Sequence, residues 1–222
     1  MIRAVVFDLD DTLYPEAEFA ASGFFKAACV LENKYGMKDA FEKIMVQFQK
    51  NRTEVFGTLC REEGLPEKAE QDAVKAYREN KPEKLDFYPK TKEVLLFLRR
   101  KGMKLGIITD GRPFSQRAKI EALGVERFVD EIIVTDEIGR EFRKPHPRSF
   151  EIMAQKLGVR AEEMIYVGDN PVKDFAIKKF LPVRTVRVLS GGLYQNGELL
   201  YGIQPDFTVD SLEKLKEDAF YV

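Results

Sequence analysis

The chain has 222 residues, enough for one large domain or for a core carrying a smaller lobe, with a substantial apolar interior. Lys and Arg number 36 against 37 Asp and Glu; the net charge of −1 exerts no overall pull toward nucleic acid or an anionic membrane. No apolar run approaches the ~20 residues that span a bilayer, the first predicted strand begins at Ile2, and Cys29 and Cys60 share no metal-ligand spacing, so the expectation is a cytoplasmic protein with two reduced thiols.

The opening run "IRAVVFDL" reads as a buried strand by its length and branched side chains. It ends in Asp8, Asp10 and Asp11. Unpaired carboxylates repel one another and are costly to desolvate, so a cation or several donors must wait there. If strand geometry persists, Asp8 and Asp10 leave the same face, ~6.6 Å apart along the chain. Such a pair suits a nucleophile beside a general acid/base, or two ligands of a hard cation such as Mg²⁺. The ordinary alternative is a helix N-cap made by Asp11 and Thr12, with Asp8 and Asp10 as solvated turn residues.

Residues 15–86 then contain helical periodicity and no convincing strand. Phe24, Ala28, Leu31 and Tyr35 form one stripe, Phe41, Ile44 and Phe48 another, and "EKAEQDAVKAYREN" reads as a third helix entered through Pro66. This predicts an all-helical lobe of residues 15–86 inserted into a core made of residues 1–14 and 87–222, with "NKPEKLDFYPK" as the return linker. Beyond it, "TKEVLLFLRRKG" and "FSQRAKIEALGV" are amphipathic helices ending in glycine. "MKLGIITDG", "DEIIVTD", "EMIYVGDN" and "VRTVRVLS" are further strands. Apolar strands alternating with helices predict an α/β fold, a parallel sheet covered on both faces, with ligands outside the carboxyl ends of its strands.

Three more signals fall at such ends. In "IITDGR", Thr109 closes a strand, and a hydroxyl plus the free N–H groups of the Asp110–Gly111 turn can cradle a phosphate, although Asp-Gly is also simply a common turn. In "FRKPHP", Lys144 can deliver a fixed point charge or be a solvated lysine, and His146 reads as a turn residue. In "YVGDNPVKD", Asp169 and Asp174 complete a metal site, or else cap a helix and meet its dipole, with Asp174 in the helix's first turn. The segment "LSGGLYQNGELLYG" is read as a hairpin with Asn196-Gly197 at its turn.

Taken in order, "FDLDDT", Thr109, Lys144 and "GDNPVKD" resemble the four motifs of the haloacid dehalogenase-like superfamily, whose members are mostly phosphatases. The resemblance covers nearly the whole chain, and the helical insertion after "DLDDTLY" is similar to the cap of one large branch. It implies a Rossmann-like parallel core with an inserted all-α cap. By the same resemblance, Asp8 is the nucleophile that forms an aspartyl-phosphate and Asp10 the general acid/base. Magnesium is held by Asp8, the Asp10 backbone carbonyl and Asp169. Thr109, Asp110, Gly111 and Lys144 hold the phosphoryl group, with Lys144 steadied by Asp174.

The activity implied is a magnesium-dependent phosphatase acting on a small phosphate ester, with no nucleic-acid or membrane partner. "TDGRPFSQRAKIEALG" is similar to branches acting on sugar phosphates or nucleoside monophosphates. A phosphosugar mutase and a silent phosphate-binding module share the same motifs, whereas true dehalogenases lack the acidic residue present here as Asp10. In the cap, Phe19, Phe24, Arg52 and Arg61 are candidate substrate contacts, with cap core and a solvated face as their ordinary readings.

Overall fold

In the computed structural model, which describes residues 1–192, 194 and 196–221, the strands form one sheet. They are β1 (Ala4–Phe7), β2 (Lys104–Thr109), β3 (Glu131–Val134), β4 (Met164–Gly168), β5 (Arg184–Val188) and β6 (Phe207–Val209). Their order is β3-β2-β1-β4-β5-β6, and every neighbouring pair is parallel. Ala4 sits opposite both Lys104 and Met164, which makes β1 a central strand. The chain divides into two compact units, Met1–Glu16 with Lys84–Val222, and Ala17–Glu83.

The second unit is helical: α1 (Glu16–Tyr35), which begins on the last residue of the first segment, α2 (Ala40–Lys50), α3 (Val55–Glu62) and α4 (Glu67–Arg78). The stripes read from the sequence are its core, with Phe24, Ala28, Leu31 and Ile44 buried and Tyr35, Phe41 and Phe48 packed against them. Phe24 lies at its centre, its ring 5.0 Å from those of both Phe48 and Tyr77 and 5.9 Å from that of Phe56. Phe24 is therefore cap core, and Arg52 and Arg61 are exposed, Arg52 resting over the Phe48 ring. Helix α3 was not expected from its sequence. It is short and carries Gly57, Thr58 and Cys60, all weak helix formers, and packing of Phe56 and Leu59 outweighs that propensity. Cys29 and Cys60 are free thiols, Cys60 buried.

Around the sheet run α5 (Thr91–Arg100), α6 (Pro113–Leu123), the single turn α7 (Thr135–Ile138) and α8 (Pro147–Leu157). Proline opens α6 and α8 at a position whose N–H needs no partner, and Gly124 ends α6 at φ 58, where a side chain would be strained. Ala4, Val6, Ile108, Ile133, Met164 and Tyr166 turn to one face, against Phe150, Met153 and Leu157 of α8. Val5, Phe7, Leu105, Ile107, Ile165 and Val167 are equally buried on the other. Near-continuous burial of this kind is what a parallel sheet covered on both faces requires.

Three readings need correction. Strand β6 was missed because Phe207–Val209 is too short to stand out as an apolar run. No strand forms among the described residues of 190–202; Gly197 N–H turns back to the Tyr194 carbonyl and a 3₁₀ turn follows at Leu200–Gly202, while Leu193 and Gln195 lie outside the described residues. After β4 no α-helix begins at Asp174. Asn170 N–H donates to Asp174 and Val172 N–H to the Asn170 side chain, local bonds that compete with a helix, and only a 3₁₀ turn follows at Ala176–Lys179. Among the described residues no helix is long and apolar enough to cross a membrane.

Gly106 in β2 gives a direct test of the packing. A Cβ there would lie 2.5 Å from Met153 Sδ on α8. Gly106→Val is expected to lower unfolding stability by ~1–3 kcal/mol through overpacking, measured by urea denaturation.

Candidate active site

Because β2, β1 and β4 are parallel neighbours, their carboxyl ends open on one edge of the sheet, and Asp110, Asp8 and Asp169 are the residues that follow them. Asp8 keeps strand geometry through its N–H, which donates to the Val167 carbonyl at 2.8 Å, and it is 2 % exposed. Its Oδ1 accepts Leu9 N–H and faces Lys144 Nζ, both at 2.8 Å. Its Oδ2 has only Lys173 Nζ nearby among the described residues, at 3.9 Å. Burial pushes the Asp8 carboxyl up to about 6, against the pull of Lys144 and Lys173.

Lys144 reaches the site from the segment before α8, its side chain wholly buried. Besides Asp8 it meets Asp174 Oδ1 at 2.9 Å and donates to the Tyr166 hydroxyl at 2.7 Å. Burial would lower its pKa, yet Asp174 and Asp8 hold it well above the ordinary lysine value. Tyr166, which had read as plain strand core, also donates to Asp174 at 3.3 Å.

Asp10 takes a different direction. The strand ends at Phe7, Leu13 N–H turns back to the Leu9 carbonyl and Asp11 has φ 52, so the shared-face spacing of Asp8 and Asp10 does not persist. Its carboxylate accepts from the Tyr14 hydroxyl (2.6 Å), Gln116 Nε2 (2.9 Å) and Lys119 Nζ (2.7 Å). Burial alone would raise the Asp10 pKa, but Lys119 and these bonds bring it below the usual value. Lys119 also pairs with Glu16 at 3.2 Å; the Asp10 charge first, and then burial, raises Glu16 to about 7. Asp11 is the capping residue, accepting the Glu16 N–H that starts α1 at 2.9 Å.

Asp169 receives the Thr12 hydroxyl on Oδ1 at 3.4 Å, and its buried Oδ2 has no hydrogen-bond partner among the described residues. Burial, then Asp174, Asp8 and Asp11, push its carboxyl up to about 8. Asp8, Asp169 and Asp174 each offer an oxygen within 4.8 Å of the others. The oxygens of Asp174 are already engaged by Lys144, Tyr166 and Asn170 N–H, which leaves Asp169 Oδ2 as the orphaned oxygen of the three carboxylates among the described residues. An all-oxygen donor set with an orphaned carboxylate oxygen fits a hard divalent cation.

Thr109, the last residue of β2, is fully buried and bonded through its hydroxyl to Gln116 Nε2, so one amide connects it to Asp10. Asp110 contributes more than backbone: its Oδ1 accepts the Thr135 hydroxyl at 2.8 Å and the Lys144 N–H at 3.1 Å. Gly111 adopts φ 141 beside the Gln116 side chain, a conformation that favours glycine. A cavity of about 440 Å³ is lined by Asp8, Asp10, Asp110, Lys144, Asp169 and Lys173, among others. His146 is a turn residue as expected, capping α8 by accepting Arg148 N–H at 3.1 Å. Tyr166, Gln116, Lys119 and Lys173 were not read from the sequence; the one available signal was Gln116 and Lys119 at helical spacing on a face shared with Ile120 and Leu123.

A six-stranded parallel sheet with carboxylates and a buried lysine at its carboxyl edge agrees with the comparisons to known proteins. The family described as haloacid dehalogenase-like hydrolase matches residues 2–177. The chain belongs to this family and is a hydrolase of it. It is 35 % identical to the glyceraldehyde 3-phosphate phosphatase of Methanopyrus kandleri over 97 % of this chain and 96 % of that one. To the protein of the same name from Methanocaldococcus jannaschii it is 33 % identical, with 97 % and 96 % covered. Among solved structures, the HAD phosphatase of Thermococcus onnurineus superposes with a TM-score of 0.63 at 26 % identity, covering 97 % of this chain and 96 % of that one.

The crowded carboxylates have a measurable cost. A carboxyl raised from 3.8 to about 8 keeps its proton in the folded state where the unfolded chain has lost it, so its contribution to stability falls as pH rises toward 8. In EDTA at about pH 9, Asp169→Asn is expected to melt above the wild type, and millimolar Mg²⁺ is expected to raise the melting temperature of the wild type but not of the variant. Scanning fluorimetry reads both; equal magnesium shifts in the two proteins would remove Asp169 from the cation site.

Proposed function

We propose that the protein is a Mg²⁺-dependent phosphatase that hydrolyses a small phosphorylated metabolite through an aspartyl-phosphate on Asp8. The observation that carries this reading is the division of the Asp8 carboxylate. Lys144 and Leu9 N–H fix Oδ1, while Oδ2 has no hydrogen-bond donor among the described residues and Asp8 lines the cavity. A carboxylate held by one oxygen and open at the other is an oriented nucleophile.

In this reading Asp8 Oδ2 attacks phosphorus, and the ester oxygen departs with a proton that Asp10 must hold for this step against the pull of Lys119 and takes back from water in the next. Water then attacks the phosphorus of the aspartyl-phosphate, its proton passes to Asp10, and inorganic phosphate leaves. Tyr14, Gln116 and Lys119 all donate to Asp10 and favour its ionised form, the one that accepts a proton from water. Asp8, Asp169 and the Asp10 carbonyl are the groups assigned to hold Mg²⁺, which when bound offsets the charge of the phosphoryl group. Thr109 and the N–H groups of Asp110 and Gly111 are assigned to the phosphoryl oxygens, and Lys144, steadied by Asp174 and Tyr166, orients Asp8. The names of the relatives favour a sugar phosphate over a nucleoside monophosphate, so glyceraldehyde 3-phosphate is the first ester to test.

The test is inorganic phosphate release from an aryl phosphate and from glyceraldehyde 3-phosphate, with and without Mg²⁺. Asp8→Asn is expected to fold normally and lose turnover by ~10⁴-fold or more, and Asp10→Asn to lose ~10²–10⁴-fold. More than a few per cent of activity left in Asp8→Asn would remove Asp8 as nucleophile, and phosphate returned to a second hydroxyl in place of release would make the protein a mutase.

A further inference from the structure

An ammonium has three N–H donors and no more. Those of Lys144 are met by Asp8 Oδ1 at 2.8 Å, Asp174 Oδ1 at 2.9 Å and the Tyr166 hydroxyl at 2.7 Å, and its side chain is 0 % exposed. All three are therefore engaged before any substrate arrives.

Lys173 is placed differently. Its Nζ lies 3.9 Å from Asp8 Oδ2 and 3.5 Å from Asp110 Oδ2, both longer than a charge-assisted hydrogen bond. No hydrogen bond engages it among the described residues, and its side chain, 27 % exposed, lines the same cavity as Asp8. The ammonium is thus attracted to two carboxylates, bonded to neither, and set on the side of the nucleophile oxygen that remains open. Arg143, the other cation on the cavity wall, is held in place by two contacts of 2.6 Å to Asp136.

We infer that Lys173 contacts the phosphoryl group as a second side-chain cation beside Lys144, whose contacts also hold the nucleophile. An arriving phosphate gives the three donors of Lys173 anionic oxygens at hydrogen-bond distance in place of two loose ion pairs. This assignment deepens the phosphatase reading and rests on it for the identity of the ester, but it concerns anion binding and can be tested without turnover.

The probe is inorganic phosphate, titrated calorimetrically in the presence of Mg²⁺ into the wild type, Lys173→Met and Lys173→Arg. Charge-assisted hydrogen bonds are strong enough that Lys173→Met is expected to weaken phosphate binding ~10- to 100-fold, while Lys173→Arg stays within a few-fold of the wild type. The phosphate-free melting temperature is expected to match the wild type in Lys173→Arg and to fall modestly in Lys173→Met, where Asp8 and Asp110 lose a neighbouring cation, and kcat/KM for the ester should fall in step with phosphate affinity in Lys173→Met and be rescued in Lys173→Arg. Phosphate binding by Lys173→Met at wild-type strength, or no phosphate binding by the wild type, overturns the assignment. Lysine-dependent phosphate binding by a wild type that releases no phosphate from any ester overturns the phosphatase reading and leaves the lysine assignment standing.

Discussion

The Lys144 ammonium, with no exposed surface, joins a carboxylate past β1, a carboxylate in the turn past β4 and a phenol inside β4. Burying an ammonium costs several kcal/mol unless its partners repay it. Here two carboxylates and a hydroxyl do so, and the same contacts reduce the repulsion among acidic groups whose oxygens lie within 4.8 Å. The compensation is incomplete, because Asp8 and Asp169 both stay above the ordinary carboxylate range. In the proposed function a divalent cation would relieve that residual imbalance, and the charges that hold the fold together here would then also serve the chemistry.

Asp110 is the second organising group. Its side chain binds the hydroxyl at the start of α7 and the backbone N–H of Lys144, and its free oxygen attracts Lys173. Both lysines of the site therefore depend on one carboxylate at the end of β2, one through its main chain and one through its charge. The Asp10 cluster is built separately, from Tyr14 four residues on and from two side chains of α6. Gln116 alone spans from that cluster to Thr109.

Strand ends were legible in the sequence because a buried parallel strand is a dense apolar run, and a carboxylate directly after it has no packing reason to be there. Asp8 and Asp169 could be singled out on that ground, Thr109 and Lys144 gained weight only as members of the ordered set, and the fold class followed from the alternation of strands and helices. What stayed hidden depends on contacts distant in sequence. Tyr166 is indistinguishable from core until Lys144, 22 residues away, is placed against its hydroxyl. Gln116 and Lys119 sit on a helix with charges on several faces, where a buried polar side chain looks like a solvated one. Asp174 was expected in a helix because its spacing from Asp169 fits one; the Asn170 side chain closes a turn there instead.

The helical unit interrupts the core immediately after its central strand. Ala4 pairs with Lys104 and with Met164, and residues 17–83 lie in between. On a ribosome the order of events is then fixed by arithmetic. The helical unit, with a core of its own around Phe24, is complete before either neighbour of β1 has been made. β1 must wait, unpaired on both edges, until the chain has grown past Thr109 and then past Gly168. Pairings that far apart in sequence carry a large loop-closure cost and make for slow sheet assembly. Asp8 is made before every residue outside its own turn that later holds it, so a nascent chain carries this carboxylate well before Lys144 and Val167 can fix it in place.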